Sequence, residues 1–282
     1  MPGGHWQLVA FTVATQLVVG AMVVLAIGMP AASVRFDPVE VEALAGSVLD
    51  AVVVLLAAGG AVAAAHLGSA GKAFKALANV RESWLSREAA AGIVFGLLAT
   101  AAAIGYRLEL GSGSLRHAGV VAAAVAGLGT VYAMARLYML RTVPAWNTPA
   151  TPVSFLISVG VLGSAAAVVV LAALSLGLGA TDPWLEVVLP WVAWSCLALA
   201  LAQLVVNPAS GGFPTCSGMW LLNAALGLGG AGLLLGAALL ANTGTISGAA
   251  AGPAAAGASV VLIVSEVIGR IRFYNSFERL GV

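Results

Sequence analysis

The sequence predicts an all-α, polytopic integral membrane protein: a bundle of eight transmembrane helices with almost nothing outside the bilayer. Composition is the first reason. Of 282 residues, 61% are hydrophobic and 8% charged, against about 45–50% and about 25% in ordinary soluble domains, so no water-facing surface can be built. Length is the second: the apolar residues fall into stretches of the ~20 that a ~30 Å hydrocarbon core requires at a rise of about 1.5 Å per residue. The third is periodicity. The alternation of an outer-membrane barrel is missing, and a lone backbone segment in lipid must close its hydrogen bonds as a helix.

Taken in order, the spans are expected at 6–29, 44–67, 88–106, 117–140, 153–178, 184–206, 217–241 and 250–269. The first runs from Trp6 to Met29, lacks a basic leader and is long enough to span, so it reads as a helix and not as a signal peptide. Gln16 lies in its middle, where an amide without a partner is costly, and is expected to face the bundle interior. Between the second and third spans lies a long polar stretch whose segment from Lys72 to Ala78 is amphipathic, as in a short helix lying along the interface. Trp6, Trp84, Trp146, Pro152, Trp184 and Trp220 mark span edges as an aromatic belt does. The fifth to seventh spans read as scaffold, and no internal duplication marks an inverted repeat. The whole chain, 1–282, reads as one membrane-anchor domain; no loop is long enough to be a catalytic domain, which must therefore sit on another polypeptide.

An even number of spans puts both termini on one side. That side collects Lys72, Lys75, Arg81, Arg87, Arg136, Arg141, Arg270, Arg272 and Arg279, and the other only Arg35, Arg107 and Arg116. The positive-inside rule then makes the first side cytoplasmic, although a basic surface docking an acidic partner gives the same distribution.

Polar residues gather at three places on that side. The first runs from His66 through Lys72 and Lys75 to Arg81, Ser86, Arg87 and Glu88, so that His66 closes one helix and Glu88 opens the next. An imidazole and a carboxylate at the membrane edge suit quinol oxidation, in which two protons leave the hydroxyls as two electrons leave the ring. Equally, Glu88 suits the macrodipole of a helix start and His66 the capping of a helix end. The second cluster holds Arg136, Tyr138, Arg141, Pro144 and Trp146. The third is the i, i+4 pair Glu266 and Arg270, followed by Arg272, Phe273 and Tyr274; the pair either neutralises itself or works.

Other chemistry is argued against. A membrane b-type haem wants two axial histidines within spans, whereas His5, His66 and His117 offer no such pair. Cys196 and Cys216 lack the spacing and number for a zinc or iron–sulfur site. No basic, aromatic-interleaved patch points to nucleic acid. The chain is thus expected to hold neither a metal nor catalytic residues for a terminal substrate.

The runs His66-Leu-Gly-Ser, Ser83-Trp-Leu-Ser-Arg-Glu88, Ala135-Arg-Leu-Tyr138, Thr142-Val-Pro-Ala-Trp146 and Glu266-Val-Ile-Gly-Arg270 with Phe273-Tyr274 occur in an order that spans the chain. Together with Phe11-Thr12-Val13 and Gln16, they resemble the membrane-anchor subunit of dimethyl sulfoxide reductase, the DmsC family of molybdopterin oxidoreductase complexes. The resemblance implies an eight-helix subunit that holds a molybdopterin catalytic subunit and a four-cluster ferredoxin-like iron–sulfur subunit to the bacterial cytoplasmic (inner) membrane. Molybdopterin and iron–sulfur clusters would then sit on those partners only, and menaquinone or ubiquinone would be bound from the quinone pool as substrate. It also implies quinol binding at His66 and Glu88, with Gly68 and Arg270; Ser86 and Gln16 are further candidates for that site. Lys72, Lys75, Arg81, Arg87, Arg141 and Trp146 are the expected docking residues. This sequence departs from the resemblance in its acidic first loop, with Asp37, Glu40 and Glu42, and in the short loops of its second half.

Related anchors serve enzymes running in the dehydrogenase direction, such as sulfite dehydrogenases, so the direction of electron flow stays open. A small-solute transporter would need polar or broken helices meeting near the midplane, whereas here the charges gather at one face. A purely structural anchor without a quinone site is the third alternative.

Overall fold

A computed structural model describes residues 5–67, 77, 79–178, 183–209 and 218–276. Among them are eight helices: α1 (His5–Ala32), α2 (Pro38–Leu67), α3 (Trp84–Arg107), α4 (Gly113–Tyr138), α5 (Ala150–Leu178), α6 (Pro183–Ala209), α7 (Gly218–Asn242) and α8 (Gly248–Asn275). Each is long and apolar enough to cross a membrane, and no strand occurs among the described residues. The expected interfacial helix at 72–78 falls outside those residues, apart from Leu77 itself.

Several helices begin earlier than the hydropathy alone indicates, and their caps explain it. α2 starts at Pro38, not at residue 44, because the Asp37 carboxylate accepts a hydrogen bond from the Val39 amide at 2.8 Å and proline fits a first helical position. α3 starts at Trp84, not at residue 88, because the Ser83 hydroxyl accepts from the Ser86 amide at 3.4 Å. Glu88 therefore sits one turn inside its helix and does not open it. α8 runs on to Asn275, which makes Phe273 and Tyr274 helical.

The chain divides into two compact units. In the unit formed by residues 14–138, α3 packs against both α2 and α4. The contact is tight at Gly127 of α4: a Cβ there would lie 2.9 Å from Val19 Cγ2 and 3.1 Å from Phe95 Cε2, and both of those side chains are buried. The turn between α3 and α4 passes through Gly111 at φ +73°, where a side chain would also run into Leu115. At this end of the unit Arg107 pairs with Asp50, and Arg116 pairs with Glu42 at 2.6 Å. These pairs fasten the first half of α2 to the α3–α4 turn.

In the unit formed by residues 1–13 and 139–282, α5 touches α6 and α8, α6 touches α7, and α7 touches α8, so the four helices close a ring. Small residues allow the approach. A Cβ on Gly230 of α7 would lie 3.0 Å from Leu262 Cγ and 3.2 Å from the Leu262 backbone nitrogen of α8. The core of this ring is not purely apolar: Ser158, Gln203, Asn223 and Glu266 are all buried within the unit.

Candidate functional site

In the unit of residues 14–138, the α3 start and the α4 end come together. Ser86 and Glu88 are both buried, the latter 8% exposed. No hydrogen bond to the Glu88 carboxylate and no ion pair with it occurs among the described residues. Removing a carboxylate from water without supplying donors is costly. The helix start nearby offers partial compensation through its dipole, but the two carboxylate oxygens remain open acceptors.

One turn earlier, Trp84 is surrounded by three side chains. The Arg87 guanidinium carbon lies 4.4 Å and that of Arg136 5.0 Å from the centre of its ring, and Tyr132 meets it edge-on with ring centres 6.2 Å apart. Arg87 also donates to the Val80 carbonyl at 2.9 Å and to the Arg81 carbonyl at 2.5 Å, which ties the residues ahead of α3 to its first turn. Arg81 itself is exposed. Gln16 of α1 is fully buried, in line with an interior position. The remaining expected residues of this region, Gly68, Lys72 and Lys75, lie outside the described residues, as does the side chain of His66.

The second unit holds the third polar cluster. Glu266 and Arg270 of α8 are both buried, and each turns to a neighbouring helix. Glu266 accepts from Gln203 Nε2 of α6 at 2.5 Å, while Arg270 donates to Ser158 Oγ of α5 at 2.9 Å and lies 3.6 Å from the centre of the Phe155 ring. At Ser265, directly before Glu266, Asn223 of α7 donates to the Ser265 carbonyl at 2.5 Å, and the Ser265 hydroxyl donates to the Asn223 carbonyl at 3.0 Å. Every helix of the ring thus contributes a polar side chain to its interior. Glu266 lies about two and a half turns before the end of α8, roughly 13 Å inward.

Trp146 precedes α5 and is buried in this unit. Its indole N–H donates to the Phe273 carbonyl at 2.9 Å and to Ser276 Oγ at 3.0 Å, and its ring stacks on Phe273 with centres 5.2 Å apart. The residue expected to dock a partner therefore holds the end of α8 in place, whereas Arg141 is exposed. Cys196 is buried, and among the described residues no three His, Cys, Asp or Glu side chains converge as a metal site would require.

Sequence reasoning missed Gln203, Asn223 and Ser158, on spans read as scaffold. A signal for the two amides was present: each stands alone in an apolar span, as Gln16 does, where an amide must find a partner.

The sequence is similar to those of known proteins. The family described as DMSO reductase anchor subunit (DmsC) matches residues 2–206. The C subunit of the anaerobic dimethyl sulfoxide reductase of Escherichia coli (strain K12) is 32% identical over 205 residues, 72% of this chain and 68% of the relative. The anaerobic dimethyl sulfoxide reductase subunit YnfH of the same organism is 28% identical over 291 aligned residues, 99% of this chain and 98% of the relative. The C subunit of the Haemophilus influenzae enzyme is 31% identical over 156 residues, 55% of this chain and 54% of its own length. No solved structure matches.

Proposed function

This chain belongs to the family of DMSO reductase anchor subunits, and on that premise we propose that it carries a quinol-oxidising site beside its anchoring role. The whole chain, 1–282, acts as one anchor in the bacterial cytoplasmic membrane, with both termini on the cytoplasmic side. It holds a molybdopterin catalytic subunit and a four-cluster ferredoxin-like iron–sulfur subunit, and exposed Arg81 and Arg141 meet those partners together with Lys72, Lys75 and the segment anchored by Trp146.

The observation that carries the quinol reading is Glu88, a buried residue whose carboxylate has no donor among the described residues. A quinol presents two hydroxyls, each of which must give up a proton as the ring gives up two electrons. A carboxylate with open acceptor positions at the end of a transmembrane helix orients such a hydroxyl from the lipid side and takes its proton. His66 takes the other proton, and Gly68, Ser86 and Gln16 complete the binding residues. Menaquinol or ubiquinol arrives from the quinone pool through the lipid, the electrons pass to the nearest iron–sulfur cluster of the partner, and the protons leave to water. The same groups serve the reverse direction, in which a quinone accepts electrons and takes up protons.

Glu88→Gln tests the reading, since the amide keeps the shape and loses the base. The variant complex is expected to assemble with its molybdenum and iron–sulfur subunits, reduce its terminal substrate with an artificial donor, and fail to oxidise a quinol analogue. Quinol turnover at the unaltered rate would refute the role of Glu88.

A further inference from the structure

We propose that Arg136 and Arg87, gathered on Trp84, form a binding site for the phosphate of an anionic phospholipid. Both guanidinium groups lie against one indole, 5.0 Å and 4.4 Å from its centre. Among the described residues neither has a carboxylate within ion-pair distance, although Arg107 and Arg116 at the opposite end of the same helices each have one. Arg87 spends two of its N–H groups on the Val80 and Arg81 carbonyls, which are neutral. The Nε of Arg136 is buried without a hydrogen-bond partner. Its place in the last turn of α4 satisfies the helix dipole, but the dipole supplies no acceptor to that buried N–H. Two cations on one ring and an unfilled donor call for an anion, and quinol is neutral. A phosphate fits, because guanidinium groups bind it through paired charge-assisted hydrogen bonds.

The surroundings favour a lipid as the source of that phosphate. Arg136 heads a stripe on α4 that continues through Tyr132, Val125 and Val121 at helical spacing, and these three are 43%, 64% and 39% exposed. Leu85, beside Trp84 at the start of α3, is 53% exposed. An acyl chain laid along this stripe would bring its headgroup to the two arginines at the span's edge, where Trp84 marks the interface. Basic pockets between helices at that depth recognise anionic headgroups in this way.

The test uses the full chain with its partner subunits in nanodiscs of phosphatidylcholine containing phosphatidylglycerol, with lipid retained after detergent extraction counted by native mass spectrometry. One phosphatidylglycerol is expected to be retained per chain. Arg136→Gln is expected to weaken retention roughly tenfold, the loss that accompanies one charge-assisted hydrogen bond, and Arg136→Lys to recover part of it. Arg107→Gln, at the other end of the hairpin, is expected to leave retention unchanged and controls for a general loss of folding. Equal retention in wild type and Arg136→Gln would overturn the proposal. So would displacement of the lipid by inorganic phosphate at millimolar concentration, which would make the site one for free phosphate. Retention by the isolated chain that disappears on assembly would assign the arginines to a partner's carboxylate and overturn it as well.

Discussion

The Gln203–Glu266 contact offers a sharp test of how the α5–α8 ring is held together. Gln203 Nε2 reaches Glu266 Oε1 at 2.5 Å between two buried side chains, 8% and 4% exposed. Replacing Gln203 by Leu removes the donor and leaves the acceptor in a dry interior. A hydrogen bond to a charged group contributes about 1.5–3 kcal/mol and one between neutral groups about 0.5–1.5 kcal/mol. Interhelical hydrogen bonds in membranes average lower, about 0.6 kcal/mol with a maximum of about 1.7. With Glu266 ionised, this short contact belongs at the upper end of that range, so Gln203→Leu should cost about 1.5 kcal/mol. In a Glu266→Gln background the acceptor is a neutral amide, and the same substitution should cost about 0.5 kcal/mol. Any effect of Glu266→Gln on Arg270 one turn later is common to both arms and cancels. Reversible unfolding of the four proteins in mixed micelles measures the cycle. Equal costs of Gln203→Leu in the two backgrounds, within about 0.4 kcal/mol, would refute the view that the Glu266 charge is what Gln203 satisfies.

Two further outcomes follow from the packing. Trp146→Phe keeps the stacking on Phe273 but deletes the N–H that serves the Phe273 carbonyl and Ser276 Oγ; it should cost about 1–2 kcal/mol and speed amide exchange in the last turn of α8, and unchanged exchange there would count against Trp146 as the fastening of that helix end. Gly127→Ala puts a methyl group within 2.9 Å of Val19 and 3.1 Å of Phe95; since a β-branched and an aromatic side chain cannot flex away, destabilisation of about 1–3 kcal/mol is expected, whereas Gly129→Ala, with nothing within 4 Å, should be neutral or better in the same unfolding assay.

Membrane residence and the eight spans were legible in the sequence because hydropathy is a sum over some twenty residues and tolerates local detail. The starts of α2 and α3 were not, because a single cap at Asp37 or Ser83 decides them and hydropathy windows average caps away. Glu88 stood out as a carboxylate at a span's edge, but its lack of a donor depends on which helices surround it. The same limit hid Gln203 and Ser158. Both lie in largely apolar spans, Ser158 as one of several hydroxyl residues, and nothing in the spacing along α5 or α6 says that Glu266 and Arg270 of α8 lie opposite. Trp146 illustrates the converse. Its edge position suggested anchoring or docking, and only the return of α8 to the start of α5 shows its N–H engaged within the protein.

The α3–α4 hairpin argues for where the work is done. A chain with so few charges has little reason to place one without cause, and both ends of this hairpin carry them. At the turn end, Arg107 and Arg116 are answered by Asp50 and Glu42, and Tyr106 donates to Met29 Sδ at 3.5 Å beneath Arg116. Those contacts join α1, α2, α3 and α4 and need nothing from outside. At the other end, the Glu88 carboxylate has no donor, and Arg87 and Arg136 have no carboxylate, among the described residues. The opposite charges there do not cancel one another. Were stability the only demand, pairing them would be the cheaper arrangement, because an uncompensated buried charge is strongly destabilising. On the two proposals made above, open acceptors and open donors at this one end of the transmembrane hairpin would receive their partners from the membrane, a hydroxyl at Glu88 and an anion at the arginines.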